Sequence, residues 1–271
     1  MIVVSGVDRL APKHGRLFVT LGVFDGLHRG HAYLLEELVR GAAVREARPA
    51  VITFDHHPDE VLTGSAPPLL CDPDERLDRL AAAGVSLTVV HHFDVATRMT
   101  PYDAFVRRIA SRIDLAGFLM TPESAFGYER GGTPDAVAAL GRELGYDVAV
   151  VPTLEVDGRP VRSTDIRAAI RTGDLAAAAR LLGRSYAVVG DAVDPPSVLG
   201  QDERSGNALG LRFAMPVALP PAGRYPARVM GLTTPPAVER TAVVVIDSMA
   251  RVSLLDLRSV PRSSRLRLEF A

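Results

Sequence analysis

Five apolar runs, LFVTLG (17–22), AVITF (50–54), LTVV (87–90), GFLM (117–120) and VAVV (148–151), alternate with stretches of helical periodicity. Short continuous apolar runs are the pattern of strands covered on both faces. Joining such strands through helices requires right-handed crossovers, which lay helices on both sides of a parallel sheet. The first part of the chain is therefore expected to be an α/β domain with a Rossmann-like, five-stranded parallel sheet. Ligands of such sheets bind beyond the carboxyl ends of the strands.

The helices between the runs are well signposted. Within residues 31–45, Leu34, Leu35, Leu38, Val39 and Ala42 form one apolar stripe. Asp72-Pro73 with Glu75, Thr100-Pro101 with Asp103, and Thr133-Pro134 each read as a capping residue followed by proline in the first turn. The pattern changes after Gly183. Short alternating runs (YAVVG, RYPARVM, TAVVVID, RVSLLDL, RLRLEF) follow, broken by turns such as DPPS, LPPAG and TTPP, which suggests a small β-barrel or sandwich. The expected domains are 1–184 and 185–271.

At 271 residues the chain has room for one large or two ordinary domains, and 47% apolar residues supply a sizeable core. The formal net charge of −1 argues against a protein that coats nucleic acid. Cys71 is the only cysteine, so an internal disulfide and a cysteine metal cluster are both excluded, and a reducing interior is expected. No run of about 18 apolar residues interrupts the sequence, and the N-terminal MIVVSGVDRLAPKHG lacks a leader pattern. The expectation is a soluble, cytoplasmic protein with no membrane partner.

The segment GVFDGLHRGH (22–31) follows the first strand and opens the first helix. A helix N-terminus offers unpaired N–H groups and a partial positive charge, favouring an anion by about 0.3–1 kcal/mol at exposed sites. Gly22, Gly26 and Gly30 remove side chains where a polyphosphate would approach the backbone. His28 and His31 can then aim ring N–H donors at phosphate oxygens and stabilise charge developing at phosphorus. The same His-x-x-His spacing fits a zinc pair, which needs a third ligand. His14, His56, His57, His91 and His92 show no ligand spacing to it.

These ten residues resemble the H-x-G-H signature of the nucleotidyltransferase superfamily. The longer form G-x-F-D-G-x-H-x-G-H is similar to that of the bacterial FAD synthetases, the bifunctional riboflavin kinase/FMN adenylyltransferases. The resemblance continues in order through TFDHHP (53–58), FD (93–94) with TPYDAFV (100–106), FGYERGG (126–132), VDGRPVRSTDIR (156–167) and LLGRSYAVVG (181–190). It implies an adenylyltransferase domain over 1–184 that moves AMP from Mg-ATP to FMN, giving FAD and pyrophosphate. It implies His28, His31 and Arg167 as catalytic groups. It further implies Gly22, Phe24, Asp25, Gly26, Gly30, His57, Glu123, Phe126, Ser163 and Thr164 as binding residues for ATP, flavin and the magnesium that accompanies ATP. Ser163-Thr164 would open a helix with Ile166, Ala169 and Ile170 inward and Arg167 one turn on, forming a second anion site. No protein metal ligand is implied. With few aromatic residues, the flavin or adenine is expected to rest on aliphatic and backbone surface with Phe24, Phe54 and Phe126. His91 and His92 match no motif and are expected to be structural.

Two segments depart from the resemblance. TPESAFG (121–127) places Glu123 where the family has Asp or Asn, and Ser124 where it has an aromatic residue, removing a stacking surface worth roughly 0.5–1.5 kcal/mol. SGNALGLRFAMPVAL (205–219) lacks the P-T-A-N of the kinase half. RVSLLDL (251–257) carries Arg251 where the family has its glutamate base, and an arginine accepts no proton near neutral pH. The expected barrel is a degenerate riboflavin-kinase domain. The alternatives are transfer to another phosphorylated acceptor, or a non-catalytic flavin or nucleotide sensor.

Overall fold

A computed structural model of the chain describes residues 1–194, 208–232, 240–255 and 264–271. It divides into two compact units, one of residues 1–67 with 73–161 and one of residues 68–72 with 162–271. Among the described residues no helix is long and apolar enough to cross a membrane.

The first unit runs β1 (Ile2–Ser5), β2 (Arg16–Leu21), α1 (Arg29–Val44), β3 (Arg48–Phe54), α2 (Pro58–Thr63), α3 (Pro73–Ala82), β4 (Leu87–His91), α4 (Val95–Arg98), α5 (Tyr102–Ala110), β5 (Asp114–Met120), α6 (Pro134–Leu144), β6 (Asp147–Val150) and a small pair, β7 (Glu155–Val156) with β8 (Arg159–Pro160). Strands β1 to β6 form a parallel sheet in the order β1-β4-β3-β2-β5-β6. All five expected runs are strands, and the parallel α/β class holds. The sheet nevertheless has six strands rather than five. The additional β1 is a four-residue edge strand with Ile2 42% and Val3 49% exposed, and it comes from the apolar run MIVV (1–4), which the five expected strands leave out.

Alternation along the strands distributes the core over both faces. Leu17, Val19, Ala50, Ile52 and Leu115 join one apolar cluster, with Phe105, Val106 and Ile109 of α5 and Val137 and Leu140 of α6. Phe18, Val51 and Ala116 join the other, with Leu35, Leu38 and Ala42 of α1. Successive side chains point to opposite faces, so each strand feeds both layers. Thr133 caps α6 as expected, accepting from the Ala136 N–H, with Pro134 in the first turn. The Thr100-Pro101 signal is displaced by one residue. Pro101 itself is the N-cap of α5 and makes no side-chain cap, while the Thr100 hydroxyl donates back to the Ala96 carbonyl at 2.8 Å.

The second unit contains α7 (Ser163–Arg171), α8 (Leu175–Leu182) and strands β9 (Ala187–Val193), β10 (Leu209–Arg212), β11 (Gly223–Gly231), β12 (Arg240–Ile246), β13 (Val252–Leu255) and β14 (Arg265–Phe270). The strands close into an antiparallel barrel in the order β10-β13-β12-β11-β14-β9, so the barrel rather than the sandwich is formed. Leu266, Leu268 and Phe270 of β14 and Ala242, Val244 and Ile246 of β12 alternate inward. Most of the expected DPPS and TTPP turns, Ser205 to Asn207, and Asp256-Leu257 of RVSLLDL lie outside the described residues.

Helix α1 approaches β2 closely enough to need glycine at one point. A Cβ on Gly41 would lie 2.7 Å from Cε1 of Phe18, a ring that is fully buried and has nowhere to move. Alanine gains about 0.8–1 kcal/mol in helix propensity over glycine, but forcing a methyl into a packed core costs about 1–3 kcal/mol. Gly41→Ala is therefore expected to lower the denaturant midpoint of this unit, and a raised midpoint would show that the helix can shift outward freely.

Candidate active site

Strand order reverses between β2 and β5, because β3 and β4 lie on one side of β2 while β5 and β6 lie on the other. The loops leaving these two strands must part in opposite directions, which opens a crevice at their carboxyl ends. A cavity of about 790 Å³ lies there. It is lined by Leu21, Gly22 and Val23 after β2, by the segment from Leu119 to Arg130 after β5, and by Phe54 and His57 after β3. Five of the nine phenylalanines (Phe54, Phe93, Phe105, Phe118 and Phe126) reach its wall. The fold thus gathers scattered rings at one place, where they share the wall with aliphatic residues such as Leu21, Val23, Leu62 and Leu119, and Phe54 and Phe126 are there as expected. Phe24 is the exception. It is 1% exposed and packs in the α1-side core with Phe18, Leu35 and Leu38, away from the cavity wall.

The loop between β2 and α1 is tightly wound. Phe24, Gly26 and Leu27 adopt positive φ values of 53°, 80° and 40°. Two of these are side-chain-bearing residues in a region that costs roughly 1–3 kcal/mol each. The surroundings hold them there. The Val23 carbonyl accepts from the Thr53 hydroxyl at 3.0 Å and from the Arg76 guanidinium at 3.2 Å, and Arg76 also donates to the Phe54 carbonyl at 2.9 Å. Arg76 is only 7% exposed, and it ties the β2 and β3 loop ends together. Sequence reading missed it, since in PDERLDRL it looks like any charged residue of an exposed helical face.

His28 is the N-cap of α1. Its Nδ1 accepts the backbone N–H of His31 at 3.3 Å, which leaves the ring proton on Nε2. The His28 and His31 rings stack with centroids 3.7 Å apart, and Phe24 lies 5.0 Å from His31. A Cβ on Gly30 would sit 3.2 Å from the His28 ring, so this glycine makes room for the imidazole as well as for any ligand. Gly22 does the same for the Phe24 ring at 3.2 Å. Nδ1 of His31 is buried without a hydrogen-bond partner. Such an orphan costs about 1–3 kcal/mol. Burial, with the neighbouring His28 second, holds the His31 imidazole well below the ordinary histidine range, so it is neutral near pH 7. Asp25, in the same loop, is buried.

His57 repeats the device at α2, where its Nδ1 accepts the Asp59 N–H at 3.2 Å. The departing segment after β5 is a built turn. The Ser124 hydroxyl accepts the Thr121 N–H at 2.9 Å, and the Glu123 carboxylate accepts the Thr153 hydroxyl at 2.7 Å. Glu123 and Phe126 both line the cavity. His91 is buried, accepts the Val7 N–H at 3.5 Å, and is held below the usual range by burial and then by Arg108, as a structural histidine would be.

The remaining site candidates belong to the second unit. Ser163 and Thr164 form the first turn of α7, whose N-cap is Arg162 without a side-chain cap, and Ile166 and Ile170 are its buried residues. The Arg167 Nε donates to the Pro68 carbonyl at 2.8 Å. In the barrel, the Arg251 guanidinium pairs with Asp247 at 2.7 Å.

A parallel sheet whose first crossover helix is capped by one histidine and stacked on a second defines an α/β nucleotidyltransferase domain, here followed by a barrel. Residues 10–165 match the family model described as FAD synthetase, and the chain belongs to that family. The bifunctional riboflavin kinase/FMN adenylyltransferase of Pseudomonas fluorescens is 30% identical over 70% of this chain, and the match spans 61% of that enzyme's length. The enzyme of the same name from Escherichia coli K12 is 29% identical over 95% of this chain and 84% of its own length. A crystal structure described as a macrolide-efflux protein from Streptococcus pneumoniae superposes with a TM-score of 0.82 at 20% identity, over all of this chain and 90% of that one, a likeness of fold alone.

The state of His31 is directly measurable. Its depressed pKa means that below about pH 6.5 the unfolded chain binds a proton that the folded one refuses. Its contribution to stability is therefore complete above that pH and declines as the pH falls. In histidine NMR spectra of the free protein, the resonance lost in His31→Asn should not titrate between pH 8 and about 6. A midpoint near 6.5 would contradict the buried, neutral imidazole.

Proposed function

We propose that the chain is an FMN adenylyltransferase acting in FAD synthesis. A phosphate oxygen of FMN attacks the α-phosphorus of ATP, the bond from that phosphorus to the bridging oxygen breaks, and pyrophosphate leaves with its magnesium. The observation that carries this reading is the stacked His28–His31 pair at the opening of α1, on the loop whose first residues, Gly22 and Val23, line the aromatic cavity. A phosphate oxygen would accept from an imidazole N–H at this helix opening, and donors fixed in advance stabilise charge growing at phosphorus without reorganising. Gly22, Gly26, Gly30 and Asp25 shape the loop that meets the nucleotide, with Phe24 supporting His31 from the core side. His57, Glu123 and Phe126 contact the flavin or its phosphate. Ser163, Thr164 and Arg167 bind the triphosphate, which extends the adenylyltransferase domain to residue 184 and leaves 185–271 to the barrel. The substrates are soluble small molecules, consistent with a cytoplasmic protein.

The segment 121–127 supports a second reading, transfer of AMP to another phosphorylated acceptor. Ser124 is folded back onto Thr121 where the family places an aromatic ring. Supplying Mg-ATP with FMN or with other phosphorylated acceptors separates the two readings. FAD and pyrophosphate in equal amounts support FMN as the acceptor, and pyrophosphate with another acceptor only supports the second reading. Ligand binding without turnover would leave a sensor. His31→Asn is expected to lower the rate about 100- to 1000-fold, as removal of one charge-stabilising donor does, while the far-ultraviolet spectrum is unchanged. An unaltered rate would remove His31 from the mechanism.

The barrel, in this proposal, has lost riboflavin kinase activity. Arg251 occupies the position of the family's glutamate base, and Asp247 already engages its guanidinium. Riboflavin with Mg-ATP should yield no FMN under conditions where FMN yields FAD, and detectable FMN would restore the bifunctional assignment.

A further inference from the structure

The ends of β3 and β4 bring together three side chains that the proposed reaction does not use: Asp55, His56 and His92. One potential ligand atom from each lies within 4.8 Å of the others. The strands are parallel neighbours with Phe54 opposite His91, so the next residues, Asp55 and His92, emerge side by side. The backbone fixes them there, since the Asp55 N–H donates to the His91 carbonyl at 3.2 Å and the Thr97 hydroxyl donates to the His92 carbonyl at 3.0 Å.

The carboxylate is already aimed. Oδ1 of Asp55 accepts the backbone N–H groups of His56 at 2.8 Å and Phe93 at 3.2 Å, which turns Oδ2 toward Nδ1 of His92 at 2.7 Å. His56 Nδ1 stands 3.2 Å from Oδ1. A carboxylate oriented by backbone donors, flanked by one imidazole of its own loop and one just past the end of β4, is the arrangement that outer hydrogen bonds give to a ligating residue. The His56 and His92 side chains are 45% and 63% exposed, so both rings can rotate to the donor spacing of about 3.3 Å implied by bonds of about 2.0–2.1 Å around a tetrahedral ion.

We infer that Asp55, His56 and His92 form a binding site for a divalent ion of the zinc class, with water in the fourth position. The two-nitrogen, one-oxygen donor set suits zinc or cobalt, whereas magnesium prefers oxygen ligands and keeps its waters. The bound ion takes the place of the proton shared between His92 and Asp55, and that proton is released to solvent. It cross-links the ends of β3 and β4 beside Phe54 and Phe93, whose rings meet 5.1 Å apart in the cavity wall. The site is separate from the magnesium that accompanies ATP and does not depend on the identity of the acceptor.

The test is a titration of the tag-free full chain with Co²⁺, read by its visible absorption, with Zn²⁺ then added as competitor in excess Mg²⁺. One equivalent of Co²⁺ should bind, yield to Zn²⁺ and ignore Mg²⁺. His92→Ala and His56→Ala should each weaken binding by at least about tenfold, since even outer hydrogen-bonding partners are worth 10- to 100-fold. Absence of a visible band in the wild type, or an unchanged titration in both variants, would overturn the assignment.

Discussion

A single backbone-to-imidazole hydrogen bond organises the site. When Nδ1 of His28 accepts the His31 N–H, it satisfies one orphan donor of α1, fixes the tautomer of His28 and sets its ring against that of His31. Each consequence requires the others. The stack exists because the cap holds the first ring in the turn of the second, and the cap fits because residue 30 has no side chain to meet the His28 ring. The strained Phe24 and Leu27 are the cost of turning the chain from β2 into this helix so abruptly. Arg76 and Thr53 hold the turn from the neighbouring elements. The same geometry keeps His31 neutral, because nothing near its buried Nδ1 stabilises a proton there.

The α/β alternation, the strands β2 to β6 and the histidine loop were legible because each is written in local pattern: continuous apolar runs, a glycine-rich turn, a capping threonine before proline. The edge strand β1 is written in the same way, in the apolar run MIVV (1–4), but that stretch enters the sequence reading only as part of a possible leader. Arg76 was invisible for a different reason. Its burial depends on where α3 packs, and a charged residue in a charged helix gives no sign of it. The aromatic cavity is the clearest case. Phe54, Phe93, Phe105, Phe118 and Phe126 come from separate stretches, and only the reversal of strand order at β2 and β5 brings their rings together.

The departures at 121–127 acquire a structural meaning from the same topology. This segment leaves β5 at the reversal point, so its side chains face the crevice by position rather than by sequence motif. Ser124 is engaged in a local hydrogen bond to Thr121 and Glu123 in a long-range one to Thr153, which gives the turn a defined shape without an aromatic residue. Phe93, Phe105 and Phe118 reach the cavity wall from other directions, though Phe105 and Phe118 are themselves core residues.

The carboxyl edge of the sheet collects histidines strand by strand: His28 and His31 after β2, His56 and His57 after β3, and His91 and His92 at the end of β4. Their environments divide them by chemistry. His28 and His57 spend Nδ1 on helix caps and keep their protons on Nε2, His31 is neutral with its Nδ1 buried, and His91 is a structural acceptor for the Val7 N–H. His56 and His92 alone in this group are exposed, and both face the Asp55 carboxylate. An imidazole changes from phosphate donor to structural acceptor to metal ligand according to which nitrogen the backbone occupies and how much water remains. Six rings of one residue type at one sheet edge can therefore serve distinct roles, because the loop geometry after each strand fixes the role.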